Sequence, residues 1–490
     1  MNDSILRAAI RFRNIDGVFT KIMDTLTGGP FLAGLALALG ANNFQIGLVA
    51  AIPFLAKIAF IPAVWLVERV RKRRLICVVS TMLGRPFLLL IALGVLVLPP
   101  ALALWGLIAG LLIFSVMATF AGLAWNVWMK DLLPDRIRGR VFSKRLWIMG
   151  VVGMVLSLFG ALTVDALRQT EQGTITVLAM LFGVGAIAGI IGIFFLSRIP
   201  ERPSASTAKV ALKQALAQPF KNPDFKKLVM FTGSWAFATN LALPFITVYM
   251  LSVLGLPFFW VIVFTVVSQL SNLSFLGIWG RVADRYGNKA VLGLCAPVFS
   301  LSLLLWIFTI NDHQWVTLTL IALIHIMNGI ATAGIDVSND NILFKLAPKQ
   351  FPTPYMAAGA LINSLSAGVA PLLGGALGNF FNGHRLTVPV RWDNHELTVI
   401  SLTGLEFIFL FAFIVGMFAL SRLRRVKERV REAAPAVVVV KSIRNEIQSM
   451  SSIRGMRHLT QAASFFAGLL LESGTWLNKP GHDDLEQEKP

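Results

Sequence analysis

Charge and cysteine are both scarce in this sequence. Only 14% of its 490 residues are charged and 56% are apolar, whereas soluble domains carry about 25% charge. This deficit excludes an ordinary soluble enzyme and a disordered chain. The two cysteines, Cys77 and Cys295, lie within apolar runs, so the sequence supports neither a disulfide framework nor a zinc site.

Catalytic and cofactor-binding patterns are also missing. The polar segments contain no phosphate-cradling glycine loop, no nucleophile elbow and no metal-ligand spacing. We therefore expect no enzymatic activity, no cofactor and no metal site. Residues 1–16 are polar and basic, without the short apolar core of a removable signal peptide.

Long apolar runs are what the chain has instead. Each is long enough to cross a bilayer as a helix, which needs about 20 residues, and none alternates as a membrane β-strand would. The sequence therefore predicts an all-α integral membrane protein with twelve transmembrane helices. These spans, numbered in chain order, lie at about 17–40, 44–67, 75–98, 102–129, 143–166, 175–197, 227–252, 257–280, 289–310, 315–343, 356–381 and 399–421.

Basic residues are concentrated in alternate loops. Lys and Arg outnumber Asp and Glu by 44 to 25, and the excess follows spans two, four, six, eight and twelve. The intervening loops at 98–100 and 255–257 carry no basic residue. By the positive-inside rule both termini are cytoplasmic, and we expect a bacterial inner-membrane location. Anionic lipid headgroups, rather than nucleic acid, are the expected partners of this charge.

The chain divides into two similar six-span halves. Glu68-Arg69 after span two corresponds to Asp284-Arg285 after span eight, 216 residues later. Duplicated halves with a site between them are a design of membrane transporters. The predicted units are a cytoplasmic N-terminus (1–16), an N-terminal bundle (17–197), a cytoplasmic linker (198–226), a C-terminal bundle (227–421) and a cytoplasmic tail (422–490).

Two loop segments carry recognisable motifs. Residues 280–289 read GRVADRYGNK, and residues 125–142 read WNVWMKDLLPDRIRGRVF. The first resembles the signature of the major facilitator superfamily, in which a glycine, three residues, Asp-Arg, one residue and a second glycine precede a basic pair. Asn288 replaces one basic residue of that pair. The second resembles the loop between spans four and five in a bacterial branch of the family whose substrate is unassigned.

The resemblance covers about residues 15–422 and implies two six-helix bundles that rock about a central cavity. Asp284 is expected to latch the outward-facing state, because a carboxylate is stabilised at the N-terminus of another helix. Gly280 and Gly287 would permit close backbone approach. The residues expected to form the cytoplasmic gate motifs are Glu68, Arg69, Arg73, Asp131, Pro134, Arg138, Gly139, Gly280, Asp284, Arg285, Gly287 and Lys289.

Two other family motifs are not matched. Span five lacks the proline of the antiporter signature, so antiport gains no support. The segment 200–203, PERP, begins like a sugar-porter motif but departs from it in its final residues, so we assign it no gate role.

Ionisable and polar side chains at membrane depth are expensive, so each is a candidate for function. In the family, spans one, four, seven and ten line the cavity. The resulting candidates for contact with substrate or coupling ion are Lys21, Asp24, Asn126, Asn240, His325, Asn328 and Asp336. Further intramembrane polar residues, of second rank, are Lys57, Arg85, Gln269, Asn272, Asp340 and Asn363.

Structural interpretations of these residues stay open. Lys21 and Asp24 lie three apart on one helix face and could simply pair. His325 could be a hydrogen-bonded core residue, and Arg85 lies on a span that the family uses for support.

The charge balance points to the class of solute. The first half holds three intramembrane cations, Lys21, Lys57 and Arg85, against one acid, which predicts an anionic or zwitterionic ligand. A carboxylate in low dielectric would suit proton coupling, with Asp336 as the candidate. The sequence thus predicts a monomeric secondary transporter of a small solute, working by alternating access. The alternative is a non-transporting receptor or scaffold acting through the tail.

Two peripheral segments complete the sequence. Residues 386–399 are consistent with a small outward hairpin or a plain loop. The tail begins with a basic cluster and continues with an interfacial amphipathic segment near 443–457.

Overall fold

The computed structural model describes residues 3–70, 72–168, 170–201, 218–309, 314–346, 352–392, 395–426, 428 and 439. The predicted amphipathic segment of the tail and most of the linker lie outside these residues. The described chain is almost entirely helical. Its elements are α1 (Asp3–Leu26), α2 (Gly29–Ala38), α3 (Asn43–Leu55), α4 (Phe60–Val70), α5 (Arg73–Val97), α6 (Pro100–Leu132), α7 (Asp135–Leu167), α8 (Glu171–Ser197), α9 (Pro223–Val248), α10 (Phe258–Tyr286), α11 (Asn288–Leu305), α12 (Gln314–Leu346), α13 (Pro352–Phe380), β1 (Arg385–Trp392), β2 (His395–Thr403) and α14 (Glu406–Leu423).

The membrane spans agree with the prediction of an all-α integral membrane protein. Within the described residues, eleven helical segments are long and apolar enough to cross a membrane. They correspond to predicted spans two to twelve. Predicted span one is made of two helices, α1 and α2, so that twelve crossings are present in two sets of six.

The first span starts earlier than the sequence predicts, and it is interrupted between α1 and α2. Helix α1 begins at Asp3 and therefore includes most of the segment predicted as an N-terminal cytoplasmic extension. It ends before Gly28, and Gly29 adopts a φ of +51° that a side chain would disfavour. Pro30 follows at the start of α2 and has no N–H with which to continue the preceding helix.

The second span is also interrupted at mid-depth. Pro53 lies inside α3, and a 3-10 turn from Ala56 to Ala59 separates α3 from α4. Interrupted spans leave backbone groups without helical partners, so they are tolerated where they border protein or a water-filled cavity. The two breaks therefore mark where a cavity is expected.

The hairpin predicted near residues 386–399 is present, and its outward position stays a prediction. Strands β1 and β2 pair antiparallel from Arg385 opposite Thr403 to Trp392 opposite His395. An irregularity between Val388 and Pro389 shifts the register, as expected where proline cannot donate to the ladder. We refer to this end of the bundle as the hairpin end, and to the end with the basic loops as the basic end.

The two halves meet through α3 and α13 toward the hairpin end. Gly47 lies against the carbonyl oxygen of Pro371, and Gly375 lies against the carbonyl oxygen of Asn43, so neither position has room for a Cβ. A Cβ at Gly368 would lie 2.6 Å from a methyl carbon of Leu55. These glycines thus form a close interface between the halves.

At the basic end, a glutamate caps the start of the third span of each half, which is α5 in the first half and α11 in the second. In the first half, Oε1 of Glu201 accepts hydrogen bonds from the backbone N–H groups of Arg73 (2.6 Å) and Arg74 (3.2 Å) at the start of α5. In the second, Glu428 accepts from the backbone N–H groups of Asn288 (3.1 Å) and Lys289 (2.7 Å) at the start of α11. A carboxylate satisfies the unpaired N–H groups there and favours the helix dipole.

A basic side chain at the start of each third span makes the reciprocal contact, with backbone carbonyls at the end of the sixth span. The guanidinium of Arg74 donates to the carbonyl of Ser197 at the end of α8. The ammonium of Lys289 donates to the carbonyls of Arg424 (3.1 Å) and Val426 (2.7 Å) after α14. In each half, hydrogen bonds therefore hold the start of the third span against the end of the sixth span. Glu201 of segment 200–203 thus has a defined structural contact with the third span.

Glu428 also binds two side chains, the amide of Asn288 (2.7 Å) and the ammonium of Lys345 (3.1 Å). Burial raises the pKa of the Glu428 carboxyl, but its hydrogen bonds from Lys289, Asn288 and Lys345 outweigh burial and leave the pKa below its ordinary value. Such a group stabilises the fold above its unfolded pKa, and this contribution is lost as the pH falls through the folded pKa.

We predict that Glu428→Gln lowers the stability of the protein at neutral pH by about 1–3 kcal/mol, because several donors lose a charged acceptor. The difference from wild type should begin to shrink as the pH falls below the ordinary pKa of a glutamate and should disappear only as the pH falls through the lowered pKa of the folded carboxyl. Thermal unfolding of the purified protein across this pH range measures both effects. Glu68→Gln, at an exposed carboxylate, is the control, and an equal loss in both variants would contradict the cap.

A second prediction concerns the glycine contact between the halves. Gly375→Val should prevent close approach of α3 and α13 and open the hairpin end. A cysteine introduced by Leu32→Cys should then react faster with an impermeant maleimide added from that end. Gly106→Val is the control, since a Cβ at Gly106 meets no atom within 4 Å. Unchanged labelling would show that the glycine contact does not seal this end.

Candidate functional site

Two adjoining cavities lie beside the interrupted spans. The larger has a volume of about 620 Å3 and is lined by the first, second and fourth spans of the first half together with α13. The smaller has a volume of about 400 Å3 and is lined entirely by the first half. Both are bordered by Asp24 and Asn126, so that these two side chains lie where the cavities join.

The smaller cavity contains a buried carboxylate between two arginines. Asp16 is only 3% exposed. Its oxygens lie 3.9 Å from Nη2 of Arg85 and 3.8 Å from Nη2 of Arg145. Arg85 also donates to the hydroxyl of Thr20 (2.9 Å) and to the carbonyl of Gly189. The arginines offset the cost of burying Asp16, and Asp16 offsets theirs.

A third arginine extends this cluster away from the cavity. Arg13 is fully buried, with its guanidinium carbon 4.4 Å from the ring centre of Phe142. The guanidinium carbon of Arg145 lies 4.6 Å from the ring centre of Trp125. Arg13 donates to the carbonyl of Val141 (3.4 Å), while its Nε and Nη2 are buried without a hydrogen-bond partner. The aromatic faces partly compensate these charges.

Three polar side chains reach the larger cavity from three spans. Asp24 lies one turn before the break in span one, Lys57 lies in the 3-10 turn of span two, and Asn126 lies on α6. All three are exposed to the cavity. The structure thus brings together two of the predicted cavity residues, Asp24 and Asn126, and one of second rank, Lys57.

The remaining first-rank candidate of the first half lies elsewhere. The side chain of Lys21 packs against Gly153 of α7 and does not line either cavity. Asp24 and Lys21 are not within ion-pair distance of each other. The alternative in which they pair is therefore not what the structure shows.

The predicted residues of the second half are not gathered at these cavities. His325 is 7% exposed and packs against Phe264 and Trp306, and its Nδ1 lies 2.9 Å from the carbonyl oxygen of Ile321. This is the hydrogen-bonded core histidine of the structural interpretation. The amide of Asn240 donates to the carbonyl of Ala236 (2.8 Å) on its own helix.

The other predicted polar residues of the second half that the structure describes line neither cavity. Asp336 and Gln269 are exposed but do not border either cavity. The amide of Asn272 donates to the hydroxyl of Thr332 (3.0 Å). The amide oxygens of Asn328 and Asn363 are buried without a hydrogen-bond partner, and the side chain of Asp340 lies outside the described residues.

The gate residues of the first half make contacts within that half. Arg73 forms an ion pair with Asp131, and the indole of nearby Trp128 donates to the carbonyl of Pro200 (3.0 Å). Glu68 and Arg69 are exposed, and the guanidinium of Arg69 lies over Trp65. Pro134 and Gly139 are exposed at the start of α7, and the side chain of Arg138 lies outside the described residues.

The signature in the second half adopts only part of its expected role. Gly287 has a φ of +92° and joins α10 to α11 in a tight turn, as expected. Asp284 is exposed and forms no ion pair or hydrogen bond with a described residue, and the Cβ position of Gly280 is open. The guanidinium of Arg285 lies over Tyr286. The predicted latch is therefore not closed in this conformation.

Sequence reasoning missed Asp16 and the arginines around it. Residues 1–16 are polar and basic, a pattern that predicts a cytoplasmic extension and not part of a buried helix. The spacing of Asp16, Thr20 and Asp24, each four residues apart, is the signal that places them on one helix face. Arg145 lies within predicted span five, where it escaped notice.

Comparison with known proteins identifies the family. The sequence profile of the Major Facilitator Superfamily matches residues 17–277 and 262–478. The chain belongs to the major facilitator superfamily. Its second match extends beyond residue 422, where the motif resemblance ended. We found no match among curated protein sequences.

Solved transporter structures share this fold at low sequence identity. A variant of the nucleoside transporter NupG is 15% identical, with a TM-score of 0.66, over 86% of this chain and 100% of its own. A D-xylose–proton symporter is 13% identical, with a TM-score of 0.64, over 87% and 99%. A bacterial homologue of the human lysosomal transporter Spinster is 13% identical, with a TM-score of 0.59, over 90% and 98%.

The ion-pair cluster generates a prediction about stability. Asp16→Asn should destabilise the protein by about 3 kcal/mol, because it leaves buried arginines without their counter-charge. Asp24→Asn is a matched control on the same helix, and it should change the unfolding temperature little because that carboxylate forms no ion pair. Thermal unfolding of both purified variants makes the comparison. Equal unfolding temperatures would show that the arginines do not depend on Asp16.

Proposed function

We propose that this secondary transporter couples the movement of a small anionic or zwitterionic solute to protons. Membership of the major facilitator superfamily supports transport by alternating access. The observation that carries the proposal is the concentration of charge in the two cavities of the first half. Three cations, Lys57, Arg85 and Arg145, border them together with two acids, Asp16 and Asp24.

The excess of cations favours a solute that brings negative charge. A cavity at membrane depth strengthens electrostatic attraction, since little water is present to screen it. Cations outnumber acids by one while both acids are ionised, and Arg13 and Lys21 stand just behind the lining. The larger volume, about 620 Å3, lies within the range of small-molecule sites.

Asp16 replaces Asp336 as our candidate for the coupling carboxylate. It is buried, it borders the smaller cavity, and its ion pairs with Arg85 and Arg145 link spans one, three and five. Protonation of Asp16 would remove the counter-charge that both arginines share. The packing of three spans would then depend on proton binding, which is the requirement for coupling. One solved structure with this fold is that of a D-xylose–proton symporter.

The arrangement of contacts supports an inward-facing state, if the basic end is cytoplasmic. The hairpin end is closed by α3 against α13 and by contacts of α10. Asp165 on α7 accepts hydrogen bonds from the backbone N–H groups of Phe258 (3.1 Å) and Phe259 (2.7 Å) at the start of α10. Asp284 at the basic end is unlatched, which fits a cavity open on that side.

Several partner assignments remain part of the proposal. The exposed Arg424 and Arg425 and the half-buried Arg422 would lie beside anionic headgroups of the cytoplasmic leaflet, in a bacterial inner membrane with both termini inside. We propose a monomer as the working unit. The receptor or scaffold alternative is not favoured, because family membership and a charged cavity both support solute movement.

Proton coupling is tested with vesicles that contain the reconstituted protein and the pH-sensitive dye pyranine. A panel of carboxylates, phosphate esters, amino acids and amines is added outside in turn. We expect at least one anionic or zwitterionic compound to change the lumenal pH, with acidification in symport and alkalinisation in exchange. Asp16→Asn should abolish the pH change while labelled solute still exchanges across the membrane. Solute movement without any pH change in the wild type would contradict coupling.

A further inference from the structure

Two opposite charges face the larger cavity, and neither is paired. Asp24 is exposed to the cavity and makes no hydrogen bond or ion pair with a described residue. Neither Arg85 nor Lys21 lies within the 4 Å of an ion pair with it. Lys57 is likewise exposed; its ammonium lies 5.5 Å from the ring centre of Phe54 and makes no ion pair or hydrogen bond with a described residue. All other charges that border the cavities belong to the Asp16 cluster.

The position of these two groups is fixed by the breaks in their spans. Asp24 lies in the last turn of α1, just before Thr27 and Gly28, which also line the cavity. Lys57 lies in the 3-10 turn that follows Pro53. Each interruption thus presents a charged side chain to the same space from a neighbouring span. Discontinuous helices are a recurrent means of building solute sites in transporters.

Leaving both charges unpaired at this depth is costly unless a ligand satisfies them. An ionised group in the membrane interior costs a few kcal/mol or more without a partner. A pure anion would pair with Lys57 but leave Asp24 exposed to like charge, and a pure cation would do the reverse. A molecule with both charges would satisfy Asp24 and Lys57 together without altering the net charge of the cavity.

We propose that the transported solute is a zwitterion, with its ammonium group on Asp24 and its carboxylate or phosphate group on Lys57. This proposal rests on the proposed function, in that it takes the larger cavity as the solute site. Asp16 already pairs with Arg85 and Arg145, so it is not needed for solute binding. Of the two acids of span one, Asp24 would then bind the solute and Asp16 would serve proton coupling.

The rest of the lining indicates the body of the solute. Asn126 is exposed to the cavity and forms no hydrogen bond with a described residue, so its amide is available to a polar group of the ligand. Leu32, Phe60, Leu111 and Phe114 provide apolar walls. A zwitterionic head and an apolar or aromatic side group, as in an apolar amino acid, fit this combination.

The test compares compounds that share a skeleton but differ in charge. Three sets are used, built on leucine, phenylalanine and tryptophan, each with the matching amine that lacks the carboxylate and the matching acid that lacks the ammonium. Binding to the purified full-length protein is measured by thermal shift and by competition with labelled zwitterion in vesicles. We expect at least one zwitterion to bind at least tenfold more tightly than both of its singly charged analogues.

Two variants assign each charge to its end of the ligand. Asp24→Asn should remove the advantage of the zwitterion over the acid, and Lys57→Gln should remove its advantage over the amine. Asp224→Asn and Lys226→Gln, at positions outside both cavities and outside the gate motifs, are the controls and should keep the wild-type preference. If Asp24 or Lys57 only supported the fold, its substitution would weaken binding of the zwitterion, the amine and the acid alike.

The outcomes separate this proposal from the proposed function. If acids bind as tightly as their zwitterions and change the lumenal pH, the transporter is one of anions and the zwitterion proposal fails alone. If the zwitterion is preferred but its movement leaves the lumenal pH unchanged, the site assignment holds and coupling fails. Preference for amines would overturn both, and so would transport restricted to uncharged solutes.

Discussion

The cost of an unpaired charge away from water is the constraint on which the rest of this structure depends. Where a charge has a permanent role, the chain provides a partner: Asp16 lies between two arginines, and glutamates lie on the N-termini of α5 and α11. Where a charge faces the larger cavity, the part of the chain that the structure describes provides none. This contrast distinguishes groups that hold the protein together from groups that await a ligand.

The two halves share the contacts at the ends of their spans but differ in their interior polar residues. In both halves, a glutamate after the sixth span caps the start of the third span, and a basic residue of the third span donates to carbonyls at the end of the sixth. The polar interior is concentrated in the first half, whereas His325 and its neighbours in the second are enclosed by aromatic rings. The duplicated unit therefore keeps its end contacts, while only the first copy carries the cavity charges. One half can then act chiefly as the binding body and the other as the wall that moves against it.

The spans, the duplication, the family and the hairpin could be predicted from the sequence, because apolar length, loop charge and local motifs determine them. Asp24 and Asn126 were found because they are polar residues in apolar runs. Arg13 and Asp16 were missed because local polarity conceals a helix that tertiary packing buries. The placement of His325 away from the cavities could not be predicted, since periodicity shows a common face but not which neighbour it meets. Glu201 and Glu428 acquire their role only through contacts over more than a hundred residues of chain.

The glycine contact between α3 and α13 has a consequence for how the halves move. At Gly47 and Gly375 backbone meets backbone, with no side chains to interlock as ridges and grooves do in ordinary helix packing. A motion that opens the hairpin end would therefore separate two backbone surfaces at these positions, without first withdrawing side chains from one another. The hydrogen bonds from Phe258 and Phe259 to Asp165 would have to break in the same motion.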